Sequence, residues 1–217
     1  MSSVAIQGNA SGAGVFTIAS PNSASSFTAT LPAATTTLVG TDATQTLTNK
    51  TLGSGLVAGA SLITSGTAVS STSGTSIDFT SIPSWVKRIT VMLADVSMAA
   101  ANANALIRIG PSGTVATTGY SNSYIQTNGS NTFGILSGTT GFIVGFTSAA
   151  ANNINAVAVL TLVGSNMWSY SSNSVESGST RAHISLGSKS LGGTLDILSV
   201  VLASSTFDGG TINILYE

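Results

Sequence analysis

The chain has 217 residues, with 6 Lys or Arg, 7 Asp or Glu, one His and no Cys. Charged residues make up 6%, against roughly 25% in an ordinary soluble domain, while Ser and Thr fill about 30% of the sequence. A net charge of −1 provides no field for nucleic acid or an anionic membrane, and the lack of Cys removes disulfides, thiolate chemistry and cysteine-ligated zinc.

Residues 1–20 have neither a basic start nor an unbroken apolar run, so no export signal is expected. The mean hydropathy of +0.43 raises the question of a membrane protein. No apolar window of about 18 residues exists, and the most apolar stretch, 154–163 (INAVAVLTLV), is strand-like and too short to span. A transmembrane barrel would need aromatic girdles that a 6% aromatic content does not supply. No membrane insertion is expected.

Residues 1–63 hold short β-permissive pieces, 15–18, 26–31 and 36–39, separated by Pro21-Asn22, Pro32 and Gly40-Thr41-Asp42. Such pieces cannot alone offset a chain entropy of roughly 1–2 kcal/mol per residue. Pairing with identical copies would solve this, and low charge favours it. An extended, intertwined β arm or shaft is therefore expected over 1–63. Residues 64–75, TSGTAVSSTSGT, read as a Ser/Gly/Thr linker or an exposed turn.

From residue 76 to 217 the pattern is all-β. Residues 85–96 alternate, with Ile89, Val91 and Leu93 on one face. In 105–110, Ile107 and Ile109 oppose Leu106 and Arg108. Residues 141–146, 154–163, 195–202 and 211–216 supply further strands, and the run 197–202 is apolar on both faces, as a strand covered on both sides would be. Turns are expected at Gly110-Pro111-Ser112-Gly113, Asn128-Gly129, Gly192-Gly193 and Asp208-Gly209-Gly210. Residues 98–106 are helix-like in composition or a loop. The expected architecture is an antiparallel β-sandwich of jelly-roll type.

Chemistry-bearing residues are sparse. His183 is the single histidine, no G-x-S-x-G elbow occurs, and phosphate-loop motifs are absent. The acids Asp42, Asp78, Asp95, Glu176, Asp196, Asp208 and Glu217 are spread out. Folding could still bring two together as a hydrolase pair, notably Asp196 with Asp208. Asp208 reads more simply as a turn acid, and Asp196 as a mid-strand residue pairing with Arg181, Lys189 or another subunit. Lys87-Arg88 is the one adjacent basic pair, with Asp78 a natural partner for Arg88. No catalytic residue, metal site or cofactor is expected. Two segments mix aromatics with short polar side chains, as binding loops do: 119–124 and 167–173. Tyr120, Asn122, Tyr124, Trp168, Tyr170 and Asn173 are therefore candidate receptor contacts, with a core role for Trp168 and one Tyr the competing reading. Trp85, after Pro83, reads as core.

Several of these stretches resemble tail-fibre proteins of tailed bacteriophages. Residues 31–52 (LPAATTTLVGTDATQTLTNKTL) are similar to a segment found upstream of such fibres' distal domains. Residues 76–96 (SIDFTSIPSWVKRITVMLADV), Gly119-Tyr120-Ser121 and 206–217 (TFDGGTINILYE) look like the opening, middle and end of their C-terminal domain. The resemblance implies a parallel homotrimer on the virion, assembled in the host cytoplasm. Its N-terminal region would attach to a tail or baseplate protein, and its C-terminal β domain would touch a bacterial surface glycan or protein receptor. A structural virion appendage on capsid or neck is the alternative, and a depolymerase on the same appendage a third.

Overall fold

The computed structural model describes residues 11–12, 22–26, 63–127, 133–179 and 181–217. The chain divides into two units, Met1–Leu56 and Val57–Glu217, and the second carries every strand given below. The β pieces expected over residues 1–63, and the Asn128-Gly129 turn, fall almost wholly outside the described residues.

The described part of the second unit is all-β and antiparallel. Its strands are β1 (Thr64–Ser65), β2 (Val69–Ser70), β3 (Ser76–Phe79), β4 (Arg88–Met98), β5 (Ala103–Gly110), β6 (Ser121–Thr127) and β7 (Phe133–Gly138). They continue with β8 (Phe142–Thr147), β9 (Asn153–Gly164), β10 (Met167–Ser177), β11 (Ala182–Ser190), β12 (Ile197–Leu202) and β13 (Phe207–Tyr216). The larger sheet runs β1-β13-β4-β9-β10-β11-β6-β7, with β2 also on β13, and the smaller runs β3-β12-β5-β8. The strands thus divide nine against four.

Alternation explains which residues the sheets trap between them. Ile89, Val91 and Leu93 of β4 point inward as expected, beside Ala158 and Leu160 of β9 and Ile212 and Ile214 of β13. From the smaller sheet Ile107, Ile109, Phe142, Leu198 and Val200 close the same core. Strand β12 is buried along its whole length. Leu198 and Val200 enter the main core, while Val201 joins Leu106, Tyr124 and Ile143 in a second cluster on its other face. That two-sided cover is why its sequence is apolar on both faces, with Ser199 the one polar residue.

Three expectations are corrected. Residues 64–71 are no free linker, since β1 and β2 both pair with β13, while 72–75 form the exposed bend that the sequence also allowed. Gly66 N–H donates to the Ile214 carbonyl at 2.8 Å, and Ser71 Oγ donates to the Gly209 carbonyl at 2.8 Å. Small side chains let this segment lie close along β13; a Cβ on Gly66 would come 3.0 Å from Ile214 Cγ1. Asp208-Gly209-Gly210 is not a hairpin turn but an irregular stretch inside β13, where the register against β4 shifts twice. Gly210 sits there at φ 95°, and a Cβ would run into the Asp95 carbonyl oxygen. Residues 98–106 form no helix: β4 ends at Met98, a bend follows, and β5 begins at Ala103.

Candidate functional site

The six candidate contact residues separate sharply. Tyr120, Asn122, Tyr124, Trp168 and Tyr170 are all buried, and Asn173 alone is exposed. The cause is strand periodicity. In 167–173 the aromatics alternate with Ser and Asn, so on β10 Trp168 and Tyr170 turn toward the core while Ser169, Ser171 and Asn173 turn out. Strand β6 does the same with Asn122 and Tyr124.

The buried polar tips are used within the fold. Tyr120 Oη accepts a hydrogen bond from Ile109 N–H at 2.9 Å and donates to the Ala116 carbonyl at 3.0 Å. Burial pushes its hydroxyl up to about 12. Asn122 Nδ2 donates to Ser185 Oγ at 2.7 Å and to the Leu186 carbonyl at 2.9 Å. Its Oδ1 accepts from Ile143 N–H at 3.0 Å, tying the larger sheet to the smaller. Tyr170 donates to the Ile143 carbonyl at 3.1 Å and stacks on Phe142, with ring centroids 4.4 Å apart. Trp168 Nε1 is buried without a partner. These five residues are core, which overturns the contact assignment for them.

His183 and Glu176 belong to a second buried polar group. His183 Nδ1 lies 3.1 Å from Ser174 Oγ, and its ring lies 5.3 Å from that of Tyr124. Burial pushes the imidazole down to about 4, with the Glu176 charge opposing and Arg181 adding to the shift. Burial works against ionisation of Glu176, but donors from Asn152, the Ser148 N–H, Ser179 and the Ser148 hydroxyl outweigh it and hold the carboxyl below its usual range. Arg181 Nε approaches Glu176 Oε2 at 3.8 Å. Ser174, Glu176 and His183 are all enclosed, so this group organises the interior rather than facing a substrate.

Asp196, Asp208 and Glu217 also find local partners. Asp196 precedes β12 rather than lying mid-strand, and its carboxylate accepts from Gly113 N–H at 2.9 Å instead of pairing with Arg181 or Lys189. Asp208 accepts from Ser97 Oγ. Arg88 pairs with Glu217 at 3.1 Å, not with Asp78. Among the described residues no group of three or more His, Asp or Glu side chains could hold a metal ion.

Open aromatic surface lies around Trp85 and Tyr216. Trp85, expected in the core, is 53% exposed, and its ring lies 5.8 Å from that of Tyr216. Its sequence neighbours Ser84, Val86 and Lys87 line a hollow of about 80 Å³, which Asn166, Trp168 and Thr194 also border. Tyr216 borders a second hollow of about 210 Å³ with Arg88, Thr90 and Glu217. The second hollow thus has an aromatic and an arginine–carboxylate pair on its rim, with the exposed Trp85 ring packed against that aromatic. A flat ring offers a face to apolar C–H groups, and the pair offers donors and acceptors to hydroxyls. In the sequence, Pro83 two residues before Trp85 is the one sign of a chain turning at a sheet's end rather than running through it.

No family model, no curated protein and no solved structure matches this chain.

Proposed function

We propose that the chain is a virion tail-fibre protein of a tailed bacteriophage, a homotrimer whose C-terminal β domain adheres to a bacterial surface glycan. In this reading residues 1–63 form the trimerising arm that attaches to a tail or baseplate protein, and the protein assembles in the host cytoplasm. The observation that carries the adhesive part is the exposed Trp85 beside Tyr216 and the Arg88–Glu217 pair. The phage assignment is supported by the order of the resembling segments, 31–52, 76–96, 119–121 and 206–217.

Such a shallow site binds one sugar weakly, on the order of millimolar. Three copies in a fibre, and several fibres on a particle, raise the collective affinity by roughly 10²–10⁴. Weak single contacts then allow reversible adsorption.

The burial of Tyr120, Tyr124, Trp168 and Tyr170 favours a second reading. A fibre with so little exposed aromatic surface serves as a structural appendage of capsid or neck without a specific receptor. Two measurements separate the readings. Antibody against residues 76–217 should label the tail tip or baseplate in electron micrographs of virions. The full chain should bind a bacterial glycan array, and Trp85→Ala should abolish that binding while leaving the circular dichroism spectrum unchanged. Label on capsid or neck, with no glycan bound, overturns the adhesive reading in favour of the structural one.

A further inference from the structure

Five strands of the larger sheet, β4, β9, β10, β11 and β6, lie side by side and turn one face away from the smaller sheet. Pairing sets Met92 beside Val157, Val157 beside Asn173, Asn173 beside Ile184 and Ile184 beside Ile125, so a single row crosses all five strands. Leu186 and Val175 flank that row on the same face, each two residues along its strand from a member of it. Val157, Ile184, Leu186, Val175 and Ile125 are 39–57% exposed. A broad hollow of about 610 Å³ opens between Met92, Val157, Asn173 and Val175.

Beside these apolar residues the face carries Ser, Thr and Asn, but little charge. An antiparallel sheet with one wet side alternates apolar-in and polar-out, commonly with charge on the wet side. Among the described residues, β9, β10, β11 and β6 put no charged side chain on this side; alternation sends Glu176 and Lys189 inward. At a strand spacing of about 4.8 Å and a rise of about 3.3 Å per residue, five strands of about eight residues present roughly 600 Å². Two such faces together bury about 1,200 Å², the size at which specific interfaces begin.

We propose that this face is covered by other copies of the same chain. Four of its strands carry no charge on this side, and the charges of β4, Arg88 and Asp95, are already engaged by Glu217 and Asn155, so the face meets its own copy with little like-charge repulsion, whereas it offers a foreign partner little to select by. The proposal rests on the self-assembling reading above and locates its contact on one named sheet face.

The test uses the full chain in sedimentation velocity and light scattering, with Ile184→Lys and Val157→Lys as variants. Thr117→Lys, in an exposed loop, is the control. The wild type and the control are expected at a multiple of 21.5 kDa. Each face variant is expected to raise the dissociation constant at least about 100-fold. A multimer whose mass the face variants leave unchanged overturns this interface and leaves self-assembly standing. A wild-type chain that stays at 21.5 kDa overturns both. Hydroxyl-radical footprinting of the wild type guards against variants that fail to fold. Ile184, Leu186 and Val157 should be protected at high concentration and labelled on dilution; equal labelling at both concentrations counts against the proposal.

Discussion

The rings of Tyr124 and His183 lie 5.3 Å apart in the interior, and each carries a polar atom, the phenolic oxygen and Nε2, without a hydrogen-bond partner. Both come from the inner face of adjacent strands, β6 and β11. Protonating the imidazole would place a charge among Tyr124, Phe146 and Arg181, which lies 5.7 Å from the Phe146 ring centre.

Stability should therefore depend on pH through His183. Its folded pKa lies at about 4, below the unfolded value of about 6.5. The unfolded chain takes up the proton first, so the contribution is complete above about pH 6.5 and is lost as pH falls toward 4. Between pH 6.5 and about 5 the slope should approach 1.4 kcal/mol per unit. Glu176, whose carboxyl is held low, adds its own loss only below the ordinary carboxylate range. Urea midpoints for the wild type should drop across pH 7 to 5, and those of His183→Phe should stay nearly level. Equal slopes would refute the assignment.

Two buried tyrosines should respond to different degrees to loss of their hydroxyls. Tyr120→Phe strands the Ile109 N–H and the Ala116 carbonyl in the interior, a cost of about 1–3 kcal/mol. Tyr124→Phe deletes a hydroxyl that has no partner and should change stability by less than about 1 kcal/mol, in either direction. Chemical denaturation of the two variants at neutral pH checks the order.

Glu176→Ala should be the most damaging single change in the β10–β11 region. It removes the acceptor for Ser148, Asn152 and Ser179 together, and leaves Arg181 without its counter-charge. A loss of about 3–5 kcal/mol is expected. Arg181→Ala should cost less, because Arg181 is partly exposed and the other donors still hold the carboxylate. Thermal melts that rank the two the other way would show that the charge pair outweighs the hydrogen-bond cage.

Gly210→Ala tests the irregularity in β13. The left-handed backbone and the nearby Asp95 carbonyl both resist a side chain, so a loss of about 2–4 kcal/mol is expected. Gly74→Ala has a similar φ of 82° but no neighbour within 4 Å, and should cost only the backbone share. If both variants lose the same stability, the close approach to Asp95 is not what fixes glycine at 210.

Much of the sandwich was legible from period-two patterning. Strands β4, β5 and β12 follow from Ile89-x-Val91-x-Leu93, Ile107-x-Ile109 and the largely apolar run 197–202. The short strands β1 and β2 were not, because Ser, Thr and Gly carry no preference that distinguishes a linker from a segment laid along a neighbouring strand. Their partner, β13, lies far along the chain. The site was misplaced for a different reason. Aromatics mixed with Ser and Asn suggested a loop by composition, while the strict alternation of Trp168, Tyr170, Ser172 and Ser174 with outward residues already marked a strand with its rings turned in. Trp85 erred the other way: only the three-dimensional end of the sheet exposes it.

Strand β13 joins β1, β2 and β4, all of which precede it in the chain by more than a hundred residues. On the ribosome those three strands emerge long before their shared neighbour exists. Strand β4 can pair with β9 on one side, but its other edge stays open until residues 207–216 appear. Synthesis halted short of Phe207 would leave a nascent product with an unzipped edge of long, apolar β4, a template for sticking to its fellows on the same polysome. Completion of the last strand therefore acts as a lock that a truncated copy never receives.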